Sequence, residues 1–170
     1  EANFFIYFFA ENAHIHPFEK FEKLTTISKA PFTVFLKNNQ QFLLSASPER
    51  YLKKVGERLI SQPIKGTAQR FLDAVEDEKS KNQLASDPKE RTENIMITDL
   101  VRNDLSRTAQ QNSVQVEELC AVYSFLQVHQ MISTITSKLD SQYSVIEAIK
   151  NSFPMGSMTG APKVSAMKIS

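Results

Sequence analysis

The sequence predicts an α+β domain, antiparallel β-sheets flanked by helices, on three observations. Aromatic and β-branched residues gather into short runs bounded by turn residues, one long stretch instead repeats its apolar residues at helical spacing, and regular strand–helix–strand alternation is absent. Phe4–Phe9, Phe32–Leu36, Phe42–Leu44 and Tyr51–Ile60 read as strands of an antiparallel meander, with breaks at Asn38-Asn39 and Val55-Gly56-Glu57. Arg70 to Asn82 is polar and charged. Asp87-Pro88 then opens a stretch in which Met96, Ile97, Leu100, Val101 and Leu105 recur at i, i+3, i+4, which predicts an amphipathic helix over roughly 88–107. Val114 and Val116 begin a further strand and Tyr123 to Ser137 is long and rich in β-branched residues, giving a second hairpin. Val145, Ile146, Ile149 and Phe153 mark a short helix. Phe153–Lys163 reads as a loop whose Pro162 suits the first turn of a closing helix.

Composition narrows the function classes. The 170 residues are 41% apolar and 23% charged, with 20 Lys+Arg against 19 Asp+Glu, as in one soluble globular domain. A chain of this length can bury roughly 70% of its unfolded surface without disulfides or a structural metal. Balanced charge without a basic block offers no footprint for nucleic acid, and no apolar run approaches the ~20 residues that cross a bilayer. Phe4 to Ala10 has no cationic residues before it and reads as a buried strand, not a signal peptide. The lone Cys120 fits a reducing, cytoplasmic compartment. The chain opens at Glu1 inside a strand-like run and stops at Ser170 inside a helix-like one, so residues 1–170 are expected to be a partial domain truncated at both ends.

Three segments could carry chemistry. In Ser61-Gln62-Pro63-Ile64-Lys65-Gly66-Thr67 a strand ends, and a lysine stands between a stiff proline and a permissive glycine. Such a loop can bring N–H groups and a hydroxyl to an anion, although Lys65 taken alone reads as a solvated lysine. The spacing is not that of a nucleotide P-loop. Glu90 and Glu93 lie three apart at the start of the long helix, on one face, where two carboxylates suit a hard cation such as Mg²⁺ that keeps waters and borrows ligands from an anionic substrate. Helix-dipole stabilisation alone also accounts for acids there. In the closing loop Gly156, Thr159, Gly160 and Ala161 precede a helix start that can receive a carboxylate, or that Ser157 or Thr159 merely caps. His14, His16 and His129 have no metal-ligand spacing and Cys120 no base partner signature, so all four read as structural or surface residues.

Four blocks, in order, resemble the chorismate-binding enzymes, the family of aminodeoxychorismate, anthranilate, isochorismate and salicylate synthases. They are Ser47-Pro48-Glu49-Arg50-Tyr51, Pro63-Ile64-Lys65-Gly66-Thr67, Glu90-Arg91-Thr92-Glu93-Asn94-Ile95-Met96-Ile97-Thr98-Asp99-Leu100-Val101-Arg102-Asn103-Asp104-Leu105, and Phe153 to Lys163. Glu1-Ala2-Asn3-Phe4 also resembles a Glu-x-Asn segment of that family. The resemblance implies a β-sandwich fold like that of anthranilate synthase component I. Met155 and Met158 depart from the usual Phe-Pro-Gly-Gly-Ser-Ile-Thr-Gly-Ala-Pro-Lys without removing the loop glycines at 156 and 160. Lys65 points to the aminodeoxychorismate branch of para-aminobenzoate and folate synthesis, because the anthranilate and salicylate relatives usually carry Ala there. Those anthranilate enzymes also place a His where this chain has Gln130. His129 is one residue off that register, and a one-residue shift on a strand turns the side chain to the other face.

What the resemblance implies is amination of chorismate at C4. Lys65 would attack the ring at C2 as hydroxide leaves C4, and ammonia would then enter at C4 and expel the lysine. A lysine nucleophile must be neutral, so its pKa has to fall from ~10.4. Glu49 would be the general acid for the departing hydroxyl, Glu93 with Glu90 would carry Mg²⁺ against the ring carboxylate, and Gly66, Thr67, Thr159 and Gly160 would contact the carboxylate and enolpyruvyl groups. Arg102, Asn103 and Asp104 would hold the helix. Ammonia implies a glutamine amidotransferase subunit as partner, since the chain has no nucleophile in a Gly-x-Cys-x-Gly setting. The family's remaining Mg²⁺ carboxylates lie beyond a position equivalent to Ser170, so the isolated residues are expected to be inactive. The alternatives are anthranilate synthase component I and a non-catalytic chorismate-binding fragment.

Overall fold

The structure, a computed structural model, describes residues 8–168. The chain divides between Arg50 and Tyr51 into two compact units. The expected strand Phe4–Phe9 falls largely outside the described residues, and its Phe8 and Phe9 are exposed and not in a strand.

The N-terminal unit is a helix on a hairpin. Helix α1, Pro17–Ser28, begins with Pro17 in its first turn and ends at Lys29 in the left-handed conformation. The sequence reading omits it, although Phe18, Phe21 and Leu24 stand at helical spacing. Strands β1 (Phe32–Asn38) and β2 (Gln41–Ser47) pair antiparallel from Phe32↔Ser47 to Asn38↔Gln41. The two-residue connection places Asn39 at φ 53°, the positive φ that tight hairpin turns require. Phe35 joins helix to hairpin, with ring centroids 5.8 Å from Phe18, 5.4 Å from Phe21 and 6.1 Å from Phe42.

The larger unit is a five-stranded antiparallel sheet with helices on one face. Strands β3 (Arg50–Val55), β4 (Arg58–Gln62) and β5 (Ile64–Gln69) are followed by helices α2 (Ala74–Ser86) and α3 (Pro88–Ser106). Strands β6 (Gln115–Ser124) and β7 (Val128–Lys138) follow, then α4 (Val145–Ser152), a single turn α5 (Gly156–Thr159) and α6 (Lys163–Met167). The order β3-β4-β7-β5, with β6 on the other edge of β7, makes β7 the central strand. Its residues 129–137 are all buried. Helix α3 keeps close to its expected bounds, and Asp87 caps it by accepting from the N–H groups of Lys89 and Glu90. Its Ile97, Val101 and Leu105 pack with Leu59, Ile135, Leu139 and Ala148 in the main core. A satellite core joins Leu84, Cys120 and Met131, where burial pushes the Cys120 thiol pKa up. No helix of the described residues is long and apolar enough to cross a membrane.

Two expectations are corrected here. Tyr123 to Ser137 is not one strand, because Tyr123 and Ser124 end β6 and a turn closed by the Phe125 N–H on the Val128 carbonyl (2.8 Å) precedes β7. The polar stretch after Arg70 contains helix α2, whose buried residues are only Ser80 and Leu84, too few for an apolar period to show. Polar contacts dock it instead. Asp77 accepts from Arg70 Nε (2.9 and 3.0 Å) and the Phe71 N–H (2.9 Å), and faces Nε2 of the buried His129 at 3.0 Å. The Arg70 guanidinium first, then the Phe71 N–H, hold the Asp77 carboxyl well below the usual carboxylate range. An acid more acidic folded than unfolded stabilises the fold above its unfolded value of about 4 and loses that contribution as pH falls. Asp77→Asn should therefore lower the urea midpoint at pH 7, with the gap to wild type closing in acid below about pH 4. A gap independent of pH would show that Asp77 acts only by packing.

Candidate active site

Strands β4 and β5 run end to end along one side of β7, interrupted only at Pro63, whose ring nitrogen has no hydrogen to give the ladder. Pro63 still accepts from the Ser133 N–H at 3.3 Å. Ser61–Thr67 is thus not the expected loop, and Lys65 stands on a strand in the sheet. Pairing passes from Ile64↔Ile132 to Thr67↔Gln130, so Lys65 and Gly66 together oppose Met131, a β-bulge. Gly66 adopts φ 95°, and a Cβ there would lie 3.2 Å from each of Glu90 Oε2, Leu84 Cδ1 and Met131 Cβ. The position requires glycine for its backbone and for its space. The neighbouring Lys65 carbonyl accepts from Asn94 Nδ2 at 3.2 Å.

The first turns of α3 bring Glu90 against this bulge. Glu90 is half-buried, while Glu93, one turn on, is 30% exposed and pairs with Lys89 at 3.8 Å. Among the described residues no cluster of three or more His, Cys, Asp or Glu could hold a metal by itself. Glu90 and Glu93, both half-buried and one turn apart, suit a Mg²⁺ that uses one or two carboxylates and takes its other ligands from water and substrate.

The closing segment is held by the other end of α3. A Cβ on Gly156 would come within 2.7 Å of Leu100 Cδ2, so α5 rests directly on that side chain. The Thr159 hydroxyl donates to the Gly156 carbonyl (3.3 Å), and Gly160 turns the chain at φ 104°. Pro162, not Ser157 or Thr159, precedes α6, which has no side-chain cap. Lys163, 10% exposed, pairs with Asp104 and donates to the Ser152 carbonyl at 2.9 Å, which ties both ends of the loop to α3. Burial raises the Asp104 carboxyl above its ordinary range, with Lys163 opposing the rise. Arg102 instead pairs with Asp99 on the surface.

The structure therefore brings Lys65, Gly66 and Glu90 together, with Thr67 beside them opposite Gln130. Thr159 and Gly160 lie on the loop held at Leu100 and Asp104, further along the same helix α3. Glu49 lies between β2 and β3 in the N-terminal unit, half-buried, its N–H donating to Ser47 Oγ at 3.2 Å. The offset of His129 has the expected consequence. His129 turns to Asp77 of α2 on the helix side, whereas Gln130 pairs with Thr67, and its buried Oε1 has no partner among the described residues. Sequence reasoning used Gln130 only as a register mark, and passed over Asn94, a buried polar residue one turn beyond Glu90 on the same face.

Comparison with known proteins converges on one family. The profile described as chorismate binding enzyme matches residues 6–169. The chain belongs to the chorismate-binding enzyme family. It is 44% identical over 151 residues to aminodeoxychorismate synthase component 1 of Escherichia coli, covering 89% of this chain and 33% of that protein. The Klebsiella aerogenes protein of the same name is 41% identical, with 89% and 34% covered, and anthranilate synthase component 1 of Bacillus subtilis 36%, with 89% and 30% covered. The crystal structure of anthranilate synthase component I from Streptococcus pneumoniae superposes with a TM-score of 0.79 at 29% identity, covering 92% of this chain and 34% of that one. The chain thus spans about a third of the length of the curated relatives it matches, and it has the chorismate-utilising fold.

The two glycines with positive φ outside the closing loop separate strain from crowding. Gly56 (φ 59°) has nothing within 4 Å of a Cβ, whereas Gly66 meets three atoms at 3.2 Å. Gly56→Ala should cost about 1–2 kcal/mol by urea unfolding, and Gly66→Ala should cost about 1–3 kcal/mol more. Equal losses would mean that the wall around Gly66 yields freely.

Proposed function

We propose that the protein is an aminodeoxychorismate synthase component 1, aminating chorismate at C4 with ammonia from a glutamine amidotransferase, and that these residues are part of its catalytic domain. The observation that carries the reading is Lys65 in Pro63-Ile64-Lys65-Gly66-Thr67, fixed on a strand beside Glu90 rather than set in a solvated loop. Relatives at 41–44% identity carry that name, against 36% for the anthranilate synthase of Bacillus subtilis.

In the proposed mechanism the Lys65 Nζ forms a bond to C2 of the ring, both ring double bonds shift, and the C4–O bond breaks. Glu49 gives its proton to the departing hydroxyl, which leaves as water. Ammonia then bonds to C4, both double bonds return, the C2–Nζ bond breaks to free the lysine, and the new ammonium gives its surplus proton back to Glu49. Gly66 and Thr67 take one set of substrate oxygens, and Thr159 and Gly160 another. Glu93 and Glu90 would hold Mg²⁺, which when bound would neutralise and orient the ring carboxylate. With two carboxylates in these residues, the remaining ligands come from water, substrate and other parts of the protein. The reaction belongs in the cytoplasm, with the amidotransferase as a separate component.

Incubation of the full-length protein with chorismate, ammonia and Mg²⁺ should yield 4-amino-4-deoxychorismate without pyruvate; anthranilate with pyruvate as the product would overturn the assignment in favour of anthranilate synthase component 1. Chorismate binding without turnover would support a non-catalytic role instead. Lys65→Ala should abolish the covalent adduct seen by intact-protein mass spectrometry, and Glu49→Gln should lower kcat about 10²–10⁴-fold. Chelation of divalent cations should stop turnover while leaving the unfolding midpoint of the free enzyme unchanged within error, because two half-exposed carboxylates do not support the core.

A further inference from the structure

Asn94 is 1% exposed in the N-terminal half of α3, and its amide uses every hydrogen-bonding position. Nδ2 donates to the carbonyls of Lys65 (3.2 Å) and Met131 (3.1 Å). Oδ1 accepts from the Ser133 hydroxyl and faces the Cys120 thiol at 3.7 Å. The two carbonyls are those of the residues that oppose one another at the bulge, where the ladder between β5 and β7 is interrupted. One side-chain amide thus receives both carbonyls where strand pairing lapses. Two acceptors on one side and two donors on the other also fix which way the amide lies. Aspartate has the same shape but would set oxygens against both carbonyls.

We propose that Asn94 is a positioning residue for Lys65: it holds the β5–β7 bulge in the single geometry that fixes the Lys65 main chain and lets Gly66 pack closely against Glu90. The proposal rests on Lys65 being the nucleophile only for its catalytic consequence. Its structural content concerns the placement of the Lys65 amine alone. Asn94 touches no reacting atom and acts through the Lys65 carbonyl. The satellite core around Leu84 and Met131 is apolar and would tolerate several backbone registers, so the amide supplies the directional contact.

The test is lysine acylation of the free full-length protein with an N-hydroxysuccinimide acetate at pH 8, read peptide by peptide by mass spectrometry. Asn94→Asp should change the Lys65 rate about fivefold or more through local opening of the bulge, while Lys163, buried against Asp104, and the exposed Lys53 stay within about twofold. An unchanged Lys65 rate, or a Lys163 rate that rises with it, would overturn the proposal, the second outcome marking general loosening. Should Asn94→Asp fail to fold, Ser133→Ala removes the hydroxyl that orients the amide. It should move Lys65 alone by about threefold or more, and a change within about twofold counts against the proposal. With chorismate, Asn94→Asp should lower kcat about 100-fold with KM within about threefold, as expected for a misplaced reacting group. If wild type yields a different product, the proposed function fails, and the acylation rates still decide the role of Asn94.

Discussion

The seam between α3 and β7 positions everything else in the larger unit. Ile97, Val101 and Leu105 of the helix meet Ile135, Leu59 and Leu139 of the sheet, all buried. Each such side chain contributes about 1.5–3 kcal/mol on burial, against about 1 kcal/mol net for a hydrogen bond. The apolar seam therefore decides that the helix lies on the sheet. Its non-directional attraction leaves rotation and axial offset loosely set. Those are fixed by polar contacts at the two ends of the helix, Asn94 on the Lys65 and Met131 carbonyls and Asp104 on Lys163.

With that seam in place α3 acts as a ruler. Its first turns bring Glu90 to the Gly66 bulge, and its last turns hold the Gly156–Gly160 loop through Leu100 and Asp104. The glycines are needed where α3 comes close to main chain. At Gly66 the neighbours include a carboxylate oxygen of α3 and at Gly156 a leucine side chain, so the helix is complementary in shape to the bulge and to the closing loop.

Much of this is legible in the sequence, and the exceptions have physical causes. The period of Met96, Ile97, Leu100, Val101 and Leu105 gives α3 because its apolar face is wide, and the strand runs give the meander because β-branched and aromatic residues cluster in them. Helix α2 escapes because polar contacts through Asp77 dock it, leaving no apolar stripe to count. Lys65 is read as a loop residue because Pro63 and Gly66 are ordinary turn signals. Here Pro63 only interrupts an edge and Gly66 makes a bulge, features that depend on the partner strand β7 and not on local propensity. The role of Asn94 is hidden for a related reason, since a polar residue in a helix is read as exposed until its partners, remote in sequence, are known.

The register of β7 shows how one residue separates structure from chemistry. Successive positions on a strand face opposite ways, so His129 and Gln130 enter different environments although they are adjacent. His129 lies between Ser124 and Asp77, both ring nitrogens engaged, and joins the hairpin end to α2. Gln130 lies on the other face across from Thr67, with a buried acceptor that the described residues leave unpaired. A histidine at position 130 would bring a titratable ring to that face, whereas glutamine brings only a neutral amide.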